Sequence, residues 1–327
     1  MAKIKLSSSV VKHAAFIAPM QCLAVAKLPT GPQWTWEIKY DGYRAEAVKA
    51  GKKVALYSRT RNSLNIKHPY IVEPLAALPD NTVVDGELVA LGNDGRPDFH
   101  MMQRFRDAAD RIHYYIFDLL VLKGRDLTRL PLAERRKLLK SEIKFKDKRI
   151  RIVEYAQTDS KTLLAAIKKQ GLEGIIGKRS DSVYEAGERS GAWIKHRLNS
   201  GQELVIGGYT PGGNGFDALI VGYYAGKELR FVAKVRNGFM PELRRKIFKQ
   251  LKPLVTSKCP FVNLPELKSG RWGAGLTADK MKECIWLKPE LVAQFEFLEW
   301  TDADHLRHAK FVGMRDDKRA GDVRKES

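Results

Sequence analysis

One short segment of the chain carries side chains suited to covalent chemistry. The frame Lys-x-Asp-Gly-x-Arg is formed by Lys39, Asp41, Gly42 and Arg44, and Glu37 stands two positions before the lysine. An unprotonated lysine amine is a nucleophile, arginine binds phosphate oxygens, and glycine allows a ligand to approach the backbone closely. From these residues alone two interpretations stay open. Lys39 forms a structural ion pair with its acidic neighbours, or it attacks an electrophile.

The element that must position this frame has the pattern of a β-strand with two unlike faces. Bulky apolar residues alternate with polar ones from Trp34 to Asp41, which is the period-2 pattern of a strand. We therefore expect the face that carries Trp34 and Trp36 to pack in a core. The opposite face then carries Glu37 and Lys39.

Acidic residues in apolar surroundings mark two further strands. Asp85 and Glu87 lie on one face of a strand predicted for residues 82–91. Burying such a pair is costly unless it binds a cation or hydrogen-bond donors. Glu173 opens another short apolar strand, where it is placed either to bind a metal or to form a salt bridge.

Two more predicted strands carry an aromatic and a basic candidate. A continuous apolar run predicts a buried strand at residues 114–122, in which Phe117 alone would be an ordinary core residue. Alternation over residues 192–198 places Lys195 and Arg197 on one face.

A basic turn follows the strand predicted for residues 54–59. It contains Arg59, Arg61 and Asn62, which are side-chain types that often contact nucleic-acid phosphates but are also common in solvated turns. Arg189, in a glycine-rich loop, is a further candidate for binding phosphate.

In their order along the chain, these motifs resemble those of the covalent nucleotidyltransferases. This superfamily includes ATP-dependent DNA ligases, RNA ligases and mRNA capping enzymes. The motifs extend from residue 37 to a final Arg-x-Asp-Lys at residues 315–318. One position departs from the pattern, because Arg197 stands where the family has lysine, and a planar guanidinium is not equivalent to an ammonium group. Residues 17–20 and 306–313 are similar to the ligase component of bacterial end-joining ligases.

The resemblance implies that Lys39 attacks the α-phosphate of ATP and forms a covalent lysyl-AMP, whose AMP then passes to the 5′-phosphate of a nick. The implied catalytic set is Lys39, Arg44, Lys195 and Asp41. The implied nucleotide contacts are Glu37, Lys39, Arg44, Glu87, Phe117, Arg189, Lys195, Arg197, Arg315 and Lys318. The resemblance also assigns Mg²⁺ or Mn²⁺ to Glu87 and Glu173, and DNA contacts to Arg59, Arg61 and Asn62.

The resemblance and the change in composition after residue 198 predict two domains. Residues 1–198 are expected to form an α+β nucleotidyltransferase (adenylation) domain, ATP-grasp-like, with antiparallel sheets and helices. Residues 199–202 are expected to be a hinge. Short strands, glycine-rich turns and one helix predict an OB-fold β-barrel for residues 203–327, which carries the C-terminal motif.

The chain is strongly basic. Lys and Arg number 58 against 38 Asp and Glu, a formal net charge of +20, which favours a polyanionic partner such as nicked duplex DNA over a membrane. Three scattered cysteines indicate neither a disulfide framework nor a zinc site. We expect a cytoplasmic, nucleoid-associated monomer that acts as an ATP-dependent DNA ligase in repair or end joining, with a Ku-like end-binding protein as a candidate partner.

Two alternatives stay open at this point. An RNA ligase or an mRNA-capping-type nucleotidyltransferase would use the same lysine on another polymer or nucleotide. A non-catalytic OB protein that binds nucleic acid would explain the charge without any covalent AMP adduct. The acidic and histidine residues between positions 302 and 308 are more typical of caps and solvated loops than of a metal site.

Overall fold

The computed structural model describes residues 13–102, 109–157, 160–170, 172–198, 201–213, 215–266 and 276–326, and only the backbone of His100. The chain divides into two compact units, Met1–Leu198 and Asn199–Ser327. Each unit is described below by itself. Together they confirm the predicted α+β class, with antiparallel sheets and helices in the first unit and an OB-type β-barrel in the second.

The first unit contains two sheets and short helices. Its strands are β1 (Leu23–Ala24), β2 (Trp34–Ile38), β3 (Tyr43–Ala50), β4 (Lys53–Ser58), β5 (Thr82–Ala90), β6 (Ile112–Leu122), β7 (Arg125–Asp126), β8 (Ile150–Ile152), β9 (Gly174–Arg179) and β10 (Trp193–Arg197). Its helices are α1 (Pro69–Val72), α2 (Phe99–Met102), α3 (Leu132–Glu142) and α4 (Ser160–Lys169), with 3₁₀ turns at Pro74–Ala77 and Ala109–Arg111.

The smaller sheet has the strand order β1-β10-β9-β2, with β1 parallel to β10 and the other pairs antiparallel. One face of this sheet packs in a core that contains Trp34, Trp36, Ile175 and Ile194, together with Ile167 from α4. This is the aromatic face predicted from the alternation in the sequence. The opposite face is therefore available for the polar residues of the same strands.

The larger sheet has the order β4-β3-β5-β6-β7, and β8 pairs with β6 in parallel. The register between β5 and β6 shifts where Asp85 faces Asp118 but Gly86 faces Ile116. Phe117 is thus the extra residue of a β-bulge, a feature that re-aims a side chain and interrupts the ladder. It is half-buried, whereas its neighbours on β6 are buried.

Helix α3 buries two charged side chains as well as apolar ones. Its buried residues are Leu132 and Leu139 together with two arginines, Arg135 and Arg136. Both arginines are charged groups inside the protein, so each needs an acidic or polar partner. Arg135 pairs with the buried carboxylate of Asp118, and Arg136 pairs with Glu37, which belongs to the site described below.

The second unit is a mainly antiparallel β structure. Its strands are β11 (Gly201–Thr210), β12 (Ala218–Ala225), β13 (Glu228–Val235), β14 (Val255–Thr256), β15 (Ile285–Glu296), β16 (Glu299–Trp300), β17 (Leu306–Arg307) and β18 (Lys310–Met314). Its helices are α5 (Pro241–Leu251) and α6 (Ala278–Met281), with 3₁₀ turns at Lys252–Leu254 and Ala320–Asp322. The main sheet has the order β13-β12-β11-β15-β14, and β18 pairs with β15.

Two details of the second unit differ from the sequence interpretation. Gly201 and Gln202, assigned to the hinge, are paired residues of β11, so the hinge stays a prediction for positions 199 and 200, which lie outside the described residues. Short strands were expected here, but β15 is 12 residues long and continues through Pro289. The ladder between β11 and β15 skips the residues around this proline, which cannot donate a backbone hydrogen bond.

Candidate active site

Lys39 lies immediately after β2, where the smaller sheet ends. Its backbone N–H donates to Gly174 O at 2.9 Å, which continues the ladder between β2 and β9. Its Nζ donates to Glu173 Oε2 at 2.5 Å. The side chain is 13% exposed, so a ligand can reach the amine while most of its stem is covered.

Glu173 is held between two cations. Arg197 Nε donates to its Oε1 at 2.9 Å, while Lys39 contacts the other oxygen. Burial raises the pKa of Glu173, but the charges of Lys39 and Arg197 lower it by more, so its pKa lies below the ordinary value. The next residue must be glycine, because a Cβ on Gly174 would lie 2.1 Å from His196 O.

The polar face of the smaller sheet brings the predicted basic residues together. In register, Glu37 faces Ile176, which faces Lys195. Gly174 faces Arg197 and binds the backbone of Lys39. Cross-strand neighbours share a face, so Glu37, Lys39, Lys195 and Arg197 all lie on one side of the sheet. This arrangement joins motifs that are more than 150 residues apart in the sequence.

Glu37 is buried and its carboxylate contacts cations of the protein itself. Arg136 from α3 donates to its Oε1, and Lys178 Nζ lies 2.9 Å from its Oε2, a close ion pair rather than a well-directed hydrogen bond. Burial lowers the pKa of Lys178 well below its usual value, and the charge of Arg136 lowers it further. Burial also lowers the pKa of Arg136 to about 10.

Arg44 is fixed by a bidentate ion pair. Its Nε and its terminal nitrogen donate to the two carboxylate oxygens of Asp85, each at 2.6 Å. Tyr184 donates its hydroxyl to Asp85 at 2.6 Å, and Arg44 also donates to Met20 O at 3.3 Å. Asp85 is thus the buried carboxylate that orients Arg44. It is one of the two acidic residues predicted on β5, and Arg44 is its cation partner.

Phe117, projected by the bulge, lies among cations and one other ring. The Arg44 guanidinium lies 4.6 Å from the ring centroid and Lys178 Nζ lies 4.0 Å from it. Trp193 meets it edge-on at 6.1 Å. Such contacts are attractive because the ring face is electron-rich. A flat, half-buried aromatic ring of this kind is suited to stacking on a nucleobase.

Asp41 and Glu87 lie near the turn between β2 and β3. Asp41 is half-buried in this turn, two residues after Lys39. Glu87 faces Arg44 across β3 and β5, on the face that also carries Asp85. A Cβ on Gly42 would lie 2.1 Å from Leu88 O and 3.0 Å from Glu87 Cγ, so glycine is required for this close approach.

The carboxylates predicted to hold a metal ion are those of Glu87 and Glu173. Within the described parts of the chain, no three Asp, Glu, His or Cys residues come together as a metal site. Mg²⁺ is often held by one or two carboxylates plus phosphate oxygens of the substrate, rather than by a protein cage. Glu87 and Glu173 fit that chemistry, although both oxygens of Glu173 contact cations here.

The basic turn after β4 is closed by its own hydrogen bonds. Asn62 N–H donates to Ser58 Oγ at 3.1 Å, and Arg61 adopts a positive φ of 64°. The Arg61 guanidinium lies 5.9 Å from the Phe16 ring. Arg59 donates to Gln21 Oε1 at 3.2 Å. The turn therefore contacts the segment before β2.

That leading segment is the part of the site that sequence reasoning missed. The sequence analysis named no catalytic or binding residue before Glu37, yet Met20 contacts Arg44, and Gln21 contacts Arg59 and Arg189. Strand β1 pairs with β10 beside Lys195. A weak signal was present, because the resemblance to end-joining ligases included residues 17–20.

Glu46 is a second residue that the sequence did not single out. It faces Asp85 in the register of β3 and β5, is fully buried, and accepts a hydrogen bond from Ile17 N–H at 2.8 Å. Burial, together with the charge of Asp85, raises the pKa of Glu46 to about 9, although Ile17 and Arg44 oppose this shift. Glu46 is therefore a neutral carboxylic acid at pH 7.

In the second unit, the two predicted phosphate ligands have acidic neighbours. Arg315 is buried and donates to both carboxylate oxygens of Asp317, each at 2.8 Å. Lys318 Nζ lies 3.2 Å from Glu203 Oε1. The polar loop between β16 and β17 is tied by structural contacts, since Tyr223 donates to Asp304 at 2.6 Å.

Two family models match the chain. Residues 19–197 match the family model described as "ATP dependent DNA ligase domain", and residues 212–318 match "ATP dependent DNA ligase C terminal region". The chain therefore belongs to the ATP-dependent DNA ligase family. This confirms the family predicted from the motifs and does not favour the RNA ligase and capping alternatives.

Several relatives are larger proteins. The chain is similar to the multifunctional non-homologous end joining protein LigD of Pseudomonas aeruginosa, 34% identical over 94% of this chain and 36% of that protein. It is 35% identical to the corresponding LigD of Mycobacterium tuberculosis over 90% of this chain and 38% of that protein. The chain thus spans little more than a third of the curated relatives that it matches.

A solved structure resembles both units. It is a mycobacterial DNA ligase D complexed with ATP and MES, with a TM-score of 0.65 and 32% identity, and the match covers 95% of this chain and 98% of that one. Among the described residues of the present chain, no helix is long and apolar enough to cross a membrane.

Proposed function

We propose that this protein seals nicks with 5′-phosphate and 3′-hydroxyl ends in duplex DNA, using ATP and a covalent AMP on Lys39. One observation carries the proposal. The sheet places the Lys39 amine on the same face as Lys195 and Arg197 and in contact with Glu173. A nucleophile with phosphate-binding cations on one side is the arrangement that nucleotidyl transfer requires.

In the first step, Lys39 Nζ bonds to the α-phosphorus of ATP while the bond to pyrophosphate breaks. The amine must lose its proton to solvent before it attacks, and Glu173 Oε2, in hydrogen-bond contact with it, orients the amine. Arg44, Lys195 and Arg197 stabilise charge on the phosphate oxygens. Asp41 belongs to the same catalytic set through its place in the Lys39 turn.

The nucleotide is oriented by groups on the larger sheet. Phe117 stacks on the adenine, and Glu87 contacts the ribose or the metal. When bound with ATP, Mg²⁺ or Mn²⁺ neutralises phosphate oxygens, and Glu87 and Glu173 are the residues that would hold it. Glu37 supports this pocket through its contacts to Lys178 and Arg136.

Arg315 and Lys318 act on the β- and γ-phosphates during the first step, and residues 199 and 200 act as a hinge between the two domains. The support for this role is the family motif that these two residues complete. Arg315 pairs with Asp317 and Lys318 pairs with Glu203, so both cations are held in place within the second unit.

The second and third steps take place on DNA. AMP passes from Lys39 to the 5′-phosphate, and the 3′-hydroxyl then displaces it. Arg59, Arg61 and Asn62 contact the backbone of the nicked duplex, whereas Arg189 contacts phosphates of the nucleotide during the first step. The net charge of +20 supports nucleoid association and DNA binding by a monomer. The LigD relatives, named for non-homologous end joining, support a role in end joining. A Ku-like end-binding protein is a candidate partner in that role.

A nick-sealing assay tests this function. Purified protein, ATP and Mg²⁺ are mixed with a labelled nicked duplex, in parallel with a duplex whose nick is flanked by RNA and with GTP in place of ATP. We expect sealing of the DNA nick with ATP. Sealing of RNA only, or with GTP only, would contradict the proposal.

A further inference from the structure

A single side-chain oxygen joins two arginines that belong to distant parts of the first unit. Gln21 Oε1 accepts a hydrogen bond from Arg189 at 2.8 Å and another from Arg59 at 3.2 Å. Arg59 lies in the turn after β4, and Arg189 lies in the loop before β10. The family resemblance assigned Arg59 to DNA contacts and Arg189 to nucleotide contacts.

The Gln21 amide has only one orientation that satisfies these contacts. Its Nε2 donates to Gly187 O at 3.1 Å, and its backbone N–H donates to Glu188 O at 2.8 Å. Exchanging the amide oxygen and nitrogen would point donors at both arginines and an oxygen at a carbonyl. The oxygen is thus fixed toward the guanidinium groups by the loop that carries Arg189.

A neutral amide is well suited to this position. Two guanidinium groups repel each other at short range, and a shared acceptor offsets that repulsion while leaving both positive charges in place. A carboxylate would hold the same two groups but would cancel one charge. Paired arginines with full charge form a strong site for one phosphate group, which accepts several charge-assisted hydrogen bonds.

We propose that Gln21 is a positioning residue that sets Arg59 and Arg189 to bind one and the same phosphate group of the nicked DNA strand. This inference rests on the proposed ligase function. Under this proposal Arg189 binds DNA rather than the nucleotide. Gln21 therefore acts in the steps that follow adenylylation of Lys39. It also explains why the segment before β2 is tied to both arginine-bearing loops.

The test separates the steps of the reaction. Gln21→Met keeps the size of the side chain but removes the acceptor, and Gln170→Met, at an exposed position, is the matched control. We expect Gln21→Met to change the rate of lysyl-AMP formation by less than about twofold. It should slow single-turnover AMP transfer from the adenylylated enzyme to the nick by about tenfold or more, the loss expected when hydrogen bonds to charged groups are removed.

A double-mutant cycle distinguishes positioning from a general structural role. If Gln21 acts through Arg59, the cost of Arg59→Ala for AMP transfer is smaller in the Gln21→Met background than in the wild type. Additive costs, or equal losses in both steps, would overturn the proposal. If wild-type protein forms no lysyl-AMP at all, the proposed function fails instead; if it does and Gln21→Met matches wild type, only this inference fails.

Gln21→Glu keeps the test decisive should Gln21→Met fail to fold. The carboxylate still holds both arginines but adds a negative charge to the phosphate site. We expect the slope of log K for nick binding against log salt to become shallower by about one. An unchanged slope would contradict a phosphate site at this position.

Discussion

Lys39 and Glu173 form an ion pair where β2 ends and β9 begins, with Nζ 2.5 Å from Oε2. Arg197 binds the other carboxylate oxygen, so the carboxylate is fixed against the amine from both sides. Nucleophilic attack therefore requires this contact to open as ATP enters. Glu173 orients the amine before that point.

Replacing Glu173 by glutamine tests this relationship. Glu173→Gln retains size and one oxygen but loses the charge that holds Lys39 and Arg197. We expect lysyl-AMP formation to slow by about a hundredfold, the loss that misplacing a reacting group can cause, measured by single-turnover labelling with ATP. Glu154→Gln, at an exposed ion pair with Lys140, is the control and should match wild type. A Glu173→Gln rate within twofold of wild type would remove Glu173 from the reaction.

Phe117 should act on ATP affinity. Loss of one stacked ring costs about 1–3 kcal/mol, so Phe117→Ala should raise the ATP concentration for half-maximal adduct formation by roughly tenfold, while Phe117→Tyr should have a small effect. A thermal melt of each variant monitors folding. If Phe117→Ala keeps wild-type ATP dependence, the ring does not stack on the base; if it unfolds the protein, Phe117 is a core residue.

The buried carboxylic acid of Glu46 predicts a pH dependence of stability. Its folded-state pKa of about 9 lies above its ordinary value of 4.5, and its neighbours are Asp85, Arg44 and the backbone of Ile17. Its contribution to stability is complete below pH 4.5 and is lost as pH rises toward 9, by at most about 1.4 kcal/mol per pH unit. Glu46→Gln cannot titrate, so its stability relative to wild type should rise from pH 5 to pH 9.

Denaturant unfolding of both proteins at several pH values measures this difference. Glu154→Gln controls for the loss of an exposed carboxyl group, and its difference from wild type should stay constant over the range. A constant difference for Glu46→Gln as well would mean that Glu46 titrates in the folded protein much as it does in the unfolded chain.

The C-terminal motif predicts a loss confined to the first step. Lys318→Ala should slow lysyl-AMP formation by at least about tenfold and leave sealing of a nick that already carries 5′-AMP largely intact, because that step releases no pyrophosphate. Arg315→Ala should do the same but also lower stability by about 3–5 kcal/mol, since it leaves the buried Asp317 carboxylate without its cation. Equal losses in both assays would assign these residues to DNA binding or folding.

The faces of the strands could be predicted from the sequence better than the contacts between side chains. Alternation in β2 and β10 correctly placed Lys39 and Lys195 on polar faces, because a strand has a strict two-residue period. It could not show that Glu173 would meet both Lys39 and Arg197, since that depends on the register of three strands. The exposure of Phe117 depends on a bulge, which no periodic pattern reveals.

Buried charge was the other feature that the sequence concealed. The residue pattern of α3 indicates a helix but not which side chains it buries. Arg135 and Arg136 face the interior because they form ion pairs with Asp118 and Glu37. Gln21 lies in a segment without periodicity, and its importance arises from two loops that fold onto it. Long-range partners of polar residues are set by tertiary structure and leave no local signal.

The central claim is that Lys39 carries the AMP, and direct detection of the adduct tests it. Wild-type protein is incubated with ATP and Mg²⁺, its intact mass is measured, and the modified peptide is sequenced; Lys39→Ala and Lys39→Arg are treated in the same way. We predict one AMP on Lys39 of the wild type and none on either variant, since alanine has no amine and the arginine side chain stays protonated. An adduct of wild-type yield on Lys39→Ala, or on another residue of the wild type, would contradict the account.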